Sequence, residues 1–109
     1  MGGGDYEGAL AAFNSIVEGA PNFAEGWNKR ATLYWLMGDF EKSVEDIHQT
    51  LALEPRHFGA LSGLAMIRES QERPLDALQA FEQALKIYPA MPNAAERVRK
   101  LNRQLGEPI

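Results

Sequence analysis

The chain has 109 residues, no cysteine and a formal net charge of −4 at pH 7. The lack of cysteine excludes disulfides and thiolate metal sites, and the acidic balance argues against a general nucleic-acid binder. No apolar run approaches the roughly 20 residues that span a bilayer, and no signal-peptide pattern is present, so we expect no membrane partner. These features leave the cellular compartment open.

The first 23 residues predict a short lead, one helix and a turn. Residues 1–4 are expected to form a flexible lead, and Asp5 is expected to cap a helix that runs to about Glu18. Apolar residues recur along this segment at helical spacing and so share one face. They are Ala9, Phe13, Ile16 and Val17. A turn is predicted over residues 19–22.

Residues 24–57 predict two helices joined by a tight turn, the first near 24–37 and the second near 40–53. Gly38 is expected to end the first helix, since glycine tolerates the left-handed conformation found there, and Asp39 to cap the second. Pro55 stops the chain, because residues before proline avoid the helical region. One stripe of the first helix carries Trp27, Arg30, Ala31 and Tyr34.

The remaining residues predict three further helices, near residues 58–71, 74–87 and 93–105. Pro74 fits the first turn of its helix, where a missing N–H costs nothing. The last helix is apolar on one face and basic on the other, as expected of a cap, with Gly106 ending it and residues 107–109 forming a tail. Its two faces carry Ala94, Val98, Leu101 and Leu105, and Arg97, Arg99, Lys100 and Arg103.

The same unit recurs along the chain with a period of 34 residues, which is typical of helical repeats. Three sets of residues are separated by this distance: Pro21, Pro55 and Pro89; Ala9, Ser43 and Ala77; Phe13, Ile47 and Phe81. The run Gly4-Asp5-Tyr6-Glu7 also matches Gly38-Asp39-Phe40-Glu41 at the same offset.

With this register the sequence resembles the tetratricopeptide repeat (TPR) family, whose pattern is Trp, Leu-Gly, Tyr, Ala, Phe and Pro. The central unit carries it as Trp27, Arg30-Ala31, Tyr34, Ser43, Ile47 and Pro55. The following unit carries it as Leu61, Leu64-Ala65, Arg68, Ala77, Phe81 and Pro89. Arg30 replaces leucine, Arg68 replaces tyrosine, and Glu72 stands where Gly38 stood. The resemblance covers about nine tenths of the chain.

The resemblance implies an all-α fold, a right-handed α-α superhelix of about six antiparallel helices. We expect residues 1–109 to form a single TPR-like domain. In it, residues 4–23 are the second half of a truncated repeat, 24–57 and 58–91 are complete repeats, and 92–105 form a C-terminal capping helix. The side chains expected to be mostly buried are Trp27, Tyr34, Ile47, Leu51, Leu61, Leu64, Ala77, Phe81 and Leu85.

The resemblance also implies a non-enzymatic module that binds a peptide or protein segment in a concave groove lined by the first helix of each pair. Helical spacing then selects the groove residues Asn28, Lys29, Thr32, Trp35, Ser62, Met66 and Glu69. Trp27 and Trp35 lie roughly 80° apart on a helix, so we assign Trp27 to the core and Trp35 to the groove wall. The alternative assignment, in which Trp35 packs against a neighbouring helix, stays open.

Some TPR proteins hold a chaperone peptide's carboxylate with basic groove residues, but Gly59 and Gly63 occupy the corresponding positions here, and we do not predict that clamp. No catalytic, cofactor or metal residue is predicted. His48 and His57 lack any signature of chemistry and are expected on the surface, and the adjacent Glu45 and Asp46 diverge on a helix.

The alternative hypothesis is a structural part that self-associates. The first helix lacks its repeat partner, so its apolar face would be open to water on one side. An apolar patch of this kind is an association site. The alternative therefore predicts a weak homodimer through residues 5–18.

Overall fold

The structure, a computed structural model, describes residues 2–106, and these residues form six helices and no strand. The helices are α1 (Gly2–Gly19), α2 (Ala24–Leu36), α3 (Phe40–Leu53), α4 (Phe58–Ser70), α5 (Pro74–Ile87) and α6 (Ala94–Gln104). The predicted all-α class and helix number are confirmed for this part of the chain. The predicted tail, residues 107–109, lies outside the described residues, and the right-handed superhelical stacking stays a prediction.

The start of α1 differs from the prediction. The helix begins at Gly2, so the expected lead of residues 1–4 and the cap at Asp5 are wrong; Met1 lies outside the described residues. Asp5 instead lies within the first turn of the helix. A carboxylate there still complements the positive end of the helix dipole, which explains why the sequence signal resembled a cap.

The turn after α2 forms as predicted. Gly38 has a φ of +83°, and the side chain of Asp39 accepts a hydrogen bond of 3.3 Å from the backbone N–H of Lys42. The turn after α4 has the same form without glycine. Glu72 has a φ of +59° there, and the N–H of Arg73 donates to the carbonyl of Arg68 at 2.9 Å. Glu72 therefore adopts the left-handed conformation that Gly38 adopts in the earlier turn, although this conformation is less favourable for glutamate than for glycine.

The chain divides into two compact units, residues 1–57 and residues 58–109. In the first unit α2 packs against α3 and α1 packs against α2. In the second unit α4 packs against α5 and α5 packs against α6. The division falls where the sequence predicts the boundary between two repeats. That the whole chain is one domain stays a prediction.

The core of the first unit lies between the three helices. Its buried apolar residues are Val17, Ala24, Ala31, Leu33, Val44 and Ile47. Three side chains that we expected in this core, Trp27, Tyr34 and Leu51, are only partly buried. The indole of Trp27 donates from Nε1 to the carbonyl of Pro21 at 2.8 Å, which places the ring at the rim of the core.

The core of the second unit centres on Phe81, which is 1% exposed. Around it lie Ala65, Ala77, Leu78, Ala80 and Leu101, with Leu64, Met91 and Val98 packed against them. Leu101 is fully buried and belongs to α6, so the last helix covers this core, as a cap should. The burial predicted for Leu61, Ala77 and Phe81 is confirmed, whereas Leu64 and Leu85 are only partly buried.

Candidate functional site

The interior of the first unit contains an ion pair between α2 and α3. Arg30 donates from Nε and Nη2 to the two carboxylate oxygens of Asp46, at 2.7 and 2.9 Å. Its Nη1 also donates to Oδ1 of Asn14 on α1 at 2.9 Å. The hydrogen bond to Asp46 raises the pKa of Arg30 against the opposing effect of burial. These three side chains therefore connect all three helices of the unit.

The sequence did not reveal this ion pair. The Asp46 side chain is 5% exposed, whereas the sequence indicated only that Asp46 and the adjacent Glu45 diverge on the helix. A usable signal was present: Arg30 occupies a stripe position where the family has leucine, and a buried cation requires a partner. The guanidinium also lies 5.2 Å from the ring centre of Trp27 and 5.6 Å from that of Tyr34. The aromatic residues of the stripe thus surround a charge.

Of the four groove residues predicted on α2, Asn28, Thr32 and Trp35 lie along one row of that helix, with Lys29 beside it. Trp35 is 36% exposed, Lys29 and Thr32 are exposed, and Asn28 is partly buried. The hydroxyl of Thr32 donates to the carbonyl of Asn28 at 3.1 Å, within the helix. Lys29 lies 3.9 Å from the carboxylate of Glu25, a solvent-exposed pair that adds little stability. An indole at the end of this row is open to solvent.

The three groove residues predicted on α4 differ in their surroundings. Met66 is 38% exposed and Ser62 is partly buried. Glu69 is bound: its Oε1 accepts a hydrogen bond of 2.6 Å from Nη1 of Arg97 on α6. The sequence assigned Arg97 to the basic face of the capping helix, and the structure brings that face to the end of α4.

A cleft of about 380 Å³ lies at this meeting of α4 and α6 in the second unit. Its lining residues are Glu69, Asn93, Glu96, Arg97, Lys100 and Arg103. Sequence reasoning missed the cleft because it depends on which face of the capping helix points toward α4. A second, adjoining cleft shares Glu69 and is bordered by Glu72 and Pro74.

One of the two histidines is not where the sequence placed it. His48 is exposed, as predicted. The side chain of His57 is only 15% exposed, and its Nε2 lies 2.9 Å from Oε1 of Glu25 on α2. The prediction of an ordinary surface histidine is therefore wrong for His57. Its partner lies 32 residues away in sequence, beyond the reach of any local pattern.

Among the described residues, no group of three or more histidine, cysteine or acidic side chains could hold a metal ion. No helix between residues 2 and 106 combines the length and the apolar character needed to cross a bilayer.

Comparison with known proteins decides the family. The sequence model of the tetratricopeptide repeat family matches residues 28–92, which is more than half of the chain. The chain belongs to the tetratricopeptide repeat family. A TPR repeat-containing protein of Rhizobium etli is 44% identical over 98 residues, covering 90% of this chain and 48% of that protein. A tetratricopeptide repeat protein 36 homolog of Nematostella vectensis is 40% identical over 57 residues, covering 52% of this chain and 32% of that protein.

Solved TPR structures share the fold. The first TPR of Spaghetti (RPAP3) has a TM-score of 0.86 at 22% identity, covering 94% of this chain and 81% of that chain. The Arabidopsis OM64 TPR domain has a TM-score of 0.86 at 19% identity, covering 94% and 84%. TPR domains in general are non-enzymatic modules of protein–protein interaction. The chain spans about half or less of the length of the curated relatives it matches.

Proposed function

We propose that this TPR protein binds an extended or helical segment of a partner protein through the groove residues predicted on α2. The observation that carries the proposal is the indole of Trp35, 36% exposed at the end of the α2 row. Tryptophan combines a large apolar surface with a polar N–H, and it is enriched among residues that dominate binding energy. Met66 on α4, 38% exposed, is a further adaptable apolar side chain among the residues predicted to line a groove.

A related structure supports a peptide as the partner. The first TPR of Spaghetti (RPAP3) is bound to the HSP90 peptide SRMEEVD. At 22% identity this likeness supports the mode of use and not the same peptide. Gly59 and Gly63 carry no side chain that could hold a peptide carboxylate, so we do not extend that ligand to this chain. We further propose that the protein is not an enzyme and works without a cofactor.

The test begins with selection of binding peptides from a random library displayed on phage, using the immobilised wild-type protein. We expect the selected peptides to change the fluorescence of Trp35 in a Trp27→Phe variant, and to bind Trp35→Ala more weakly. Leu75→Ala is the matched control, because Leu75 is 54% exposed on α5, a helix that carries none of the predicted groove residues. Peptide binding that survives the combined loss of Trp35, Asn28 and Met66 would place the site elsewhere.

A second candidate is self-association through residues 5–18. It is supported by two exposed apolar side chains, Ile16 at 39% and Phe23 at 53%. The two side chains are close together, because a Cβ atom at Gly26 would lie 2.9 Å from Ile16 and 3.4 Å from Phe23. Val17 is 5% exposed and contributes nothing to an open face, contrary to our expectation. Sedimentation velocity over a wide concentration range tests this candidate. A concentration-dependent dimer that Ile16→Ser abolishes supports it, and a strict monomer removes it.

A further inference from the structure

Helix α6 occupies the position of a first helix in the 34-residue repeat, and α1 occupies that of a second helix. Buried residues of α2 recur 34 positions later in α4 and again in α6. Two such series are Gly26, Ala60 and Ala94, and Leu33, Ile67 and Leu101. The described residues therefore hold two complete helix pairs, α2 with α3 and α4 with α5, and one unpaired helix of each kind.

In each complete pair the first helix covers one face of the second. The hydroxyl of Ser43 on α3 donates to the carbonyl of Ala31 on α2 at 2.7 Å, and both residues are buried. At the equivalent positions of the second pair, Ala65 on α4 and Ala77 on α5 are fully buried. Small residues at these positions let the two helices approach closely.

The corresponding face of α1 is open to solvent. Ile16 is 39% exposed, whereas its equivalents Thr50 on α3 and Ala84 on α5 are fully buried. Ala12 is also exposed, although its equivalents in α3 and α5 are buried. These residues are buried in α3 and α5 because a first helix lies against them. We therefore looked for a first helix that fits α1.

The unpaired first helix, α6, carries a cation on the face that would meet a second helix. Arg99 is exposed there, at the position where Ala31 and Ala65 are buried in the complete pairs. A helix packed on this face must leave room for the guanidinium and offer it negative charge. The open face of α1 leaves that room, because it presents Ala9 and Ala12.

The two unpaired helices also have opposite charge. The acidic residues of α1 are Asp5, Glu7 and Glu18, and it has no basic residue. The basic residues of α6 are Arg97, Arg99, Lys100 and Arg103, against the single acid Glu96. In an antiparallel pair the end of the first helix lies beside the beginning of the second. Pairing α6 with α1 would therefore bring three exposed bases close to Asp5 and Glu7, which are exposed as well.

We propose that the open face of α1 binds α6 of a second copy of this chain, so that two copies together complete a helix pair. The bases at the end of α6 then lie against the acids at the beginning of α1, and the beginning of α6 covers Ile16. A contact of α1 with α1 of a second copy fits less well, because it brings acids together without a base. The proposal rests on the self-association candidate only in that residues 5–18 supply one surface, and it is independent of peptide binding through α2.

Two variants each remove one of the two surfaces. Ala12→Arg places a bulky cation on the open face of α1. Arg99→Glu with Arg103→Glu reverses the charge at the end of α6. All three positions are exposed, so neither variant changes a buried side chain. If either variant loses helical circular dichroism, Ala12→Gln or the double change of both arginines to glutamine replaces it.

Each variant has a matched control. Ala11→Arg adds the same side chain to α1 at an exposed position about 100° away around the helix, and its equivalent in α3, Glu45, is exposed although α3 is paired. Arg56→Glu with Lys86→Glu makes the same change in net charge as the α6 variant, at exposed residues outside α6.

Sedimentation equilibrium measures the association. For the wild type over about 5–500 µM we expect a mean mass that rises with concentration. Each surface variant should raise the dissociation constant at least about tenfold, and each control should change it by less than about threefold. Mixed in equal amounts, the two surface variants should form a heterodimer, because the Ala12→Arg copy keeps its α6 and the other copy keeps its α1.

Four results would overturn the proposal: a wild type that stays monomeric over this range, a mixture that forms no heterodimer, an α6 variant that associates like the wild type, or controls that are weakened as much as the surface variants. The third result together with a monomeric Ala12→Arg protein would assign the contact to α1 of both copies. Trp35→Ala should leave the association unchanged, so a failure of the proposed peptide site is distinguishable from a failure of this contact.

Discussion

At the scale of single residues, two equivalent turns show how one backbone conformation is made with different side chains. Gly38 and Glu72 both have positive φ, at +83° and +59°. Each is followed by a residue whose N–H donates to a carbonyl five positions earlier, Asp39 to Tyr34 and Arg73 to Arg68, both at 2.9 Å. A left-handed conformation costs an ordinary residue roughly 1–2 kcal/mol and glycine almost nothing.

The first prediction follows from this pair of turns. Glu72→Gly should raise the free energy of unfolding by up to about 1 kcal/mol, because relief of the left-handed strain exceeds the added freedom of glycine in the unfolded chain. Gly38→Ala should lower it by about 1 kcal/mol for the same reason. Urea denaturation measures both. A Glu72→Gly protein less stable than wild type would show that the glutamate side chain itself stabilises the turn.

The second prediction concerns the ion pair of Arg30 and Asp46. Asp46→Ala should destabilise the protein by about 3–5 kcal/mol, because it leaves the guanidinium of Arg30 largely buried without its carboxylate. The double variant Arg30→Leu with Asp46→Ala should recover most of this loss, since an apolar side chain replaces the charge. Urea midpoints measure both variants. Glu45→Ala, at the exposed neighbouring position, should change stability by less than about 0.5 kcal/mol.

The raised pKa of Arg30 determines how this pair responds to pH. A group whose pKa is higher in the folded than in the unfolded state stabilises the fold fully below its unfolded pKa, and that contribution is lost as pH rises through the folded pKa. Arginine stays protonated throughout the range in which proteins are normally studied. Arg30 therefore contributes no pH dependence near neutrality.

The stability of the double variant tests the explanation given for Asp46→Ala. If Arg30→Leu with Asp46→Ala is no more stable than Asp46→Ala alone, the loss in Asp46→Ala does not come from an unpaired buried charge.

At the scale of helices, the packing of α1 against α2 depends on one glycine. A Cβ atom at Gly26 would lie 2.9 Å from Cγ2 of Ile16 and 3.4 Å from Cδ2 of Phe23. The first distance is shorter than ordinary contact, so the absence of a side chain at Gly26 lets the two helices approach. By contrast, a Cβ atom at Gly8 on α1 would meet nothing within 4 Å.

The third prediction compares these two glycines. Gly8→Ala should stabilise the protein by about 0.5–1 kcal/mol, because alanine favours the helix and the space is open. Gly26→Ala gains the same helix preference but must displace Ile16, so it should be less stable than Gly8→Ala by at least about 1 kcal/mol. Thermal unfolding followed by circular dichroism measures the difference. Equal stabilisation by both changes would mean that Ile16 yields without cost.

The fourth prediction concerns the junction of α4, α5 and α6. Phe81→Ala should cost about 3–5 kcal/mol, since Phe81 is 1% exposed at the centre of the second unit's core. A loss of that size is comparable with the whole stability of a small domain. Leu75→Ala on the same helix is the control, because Leu75 is 54% exposed. A near-neutral midpoint for Phe81→Ala in urea would contradict the repeat register.

At the scale of the whole molecule, each compact unit has its own polar link between helices. In the first unit Arg30, Asp46 and Asn14 join three helices. In the second unit Arg97 joins α6 to Glu69 on α4. The first link is enclosed and serves stability, whereas the second is open to solvent and leaves charged groups available.

The sequence alone determined the repeat and most of the helix boundaries. The bounds of α3 and α5 agree with the prediction because each depends on a local signal: Asp39 caps α3, and Pro74 opens α5. The start of α1 was wrong because Asp5, taken as a cap, lies inside the first turn. The family followed from the 34-residue period, since a helical repeat places equivalent residues at equal distances along the chain.

Only the tertiary structure decided which polar side chains meet. Arg30 and Asp46 are 16 residues apart, Arg97 and Glu69 are 28 apart, and His57 and Glu25 are 32 apart. Helical periodicity assigns a side chain to a face but does not say which face of another helix it will contact. Sequence reasoning could therefore place Trp35 on an exposed row, yet it could not foresee the cleft between α4 and α6. That cleft exists because α6 packs with Leu101 in the core, which turns Arg97 toward Glu69.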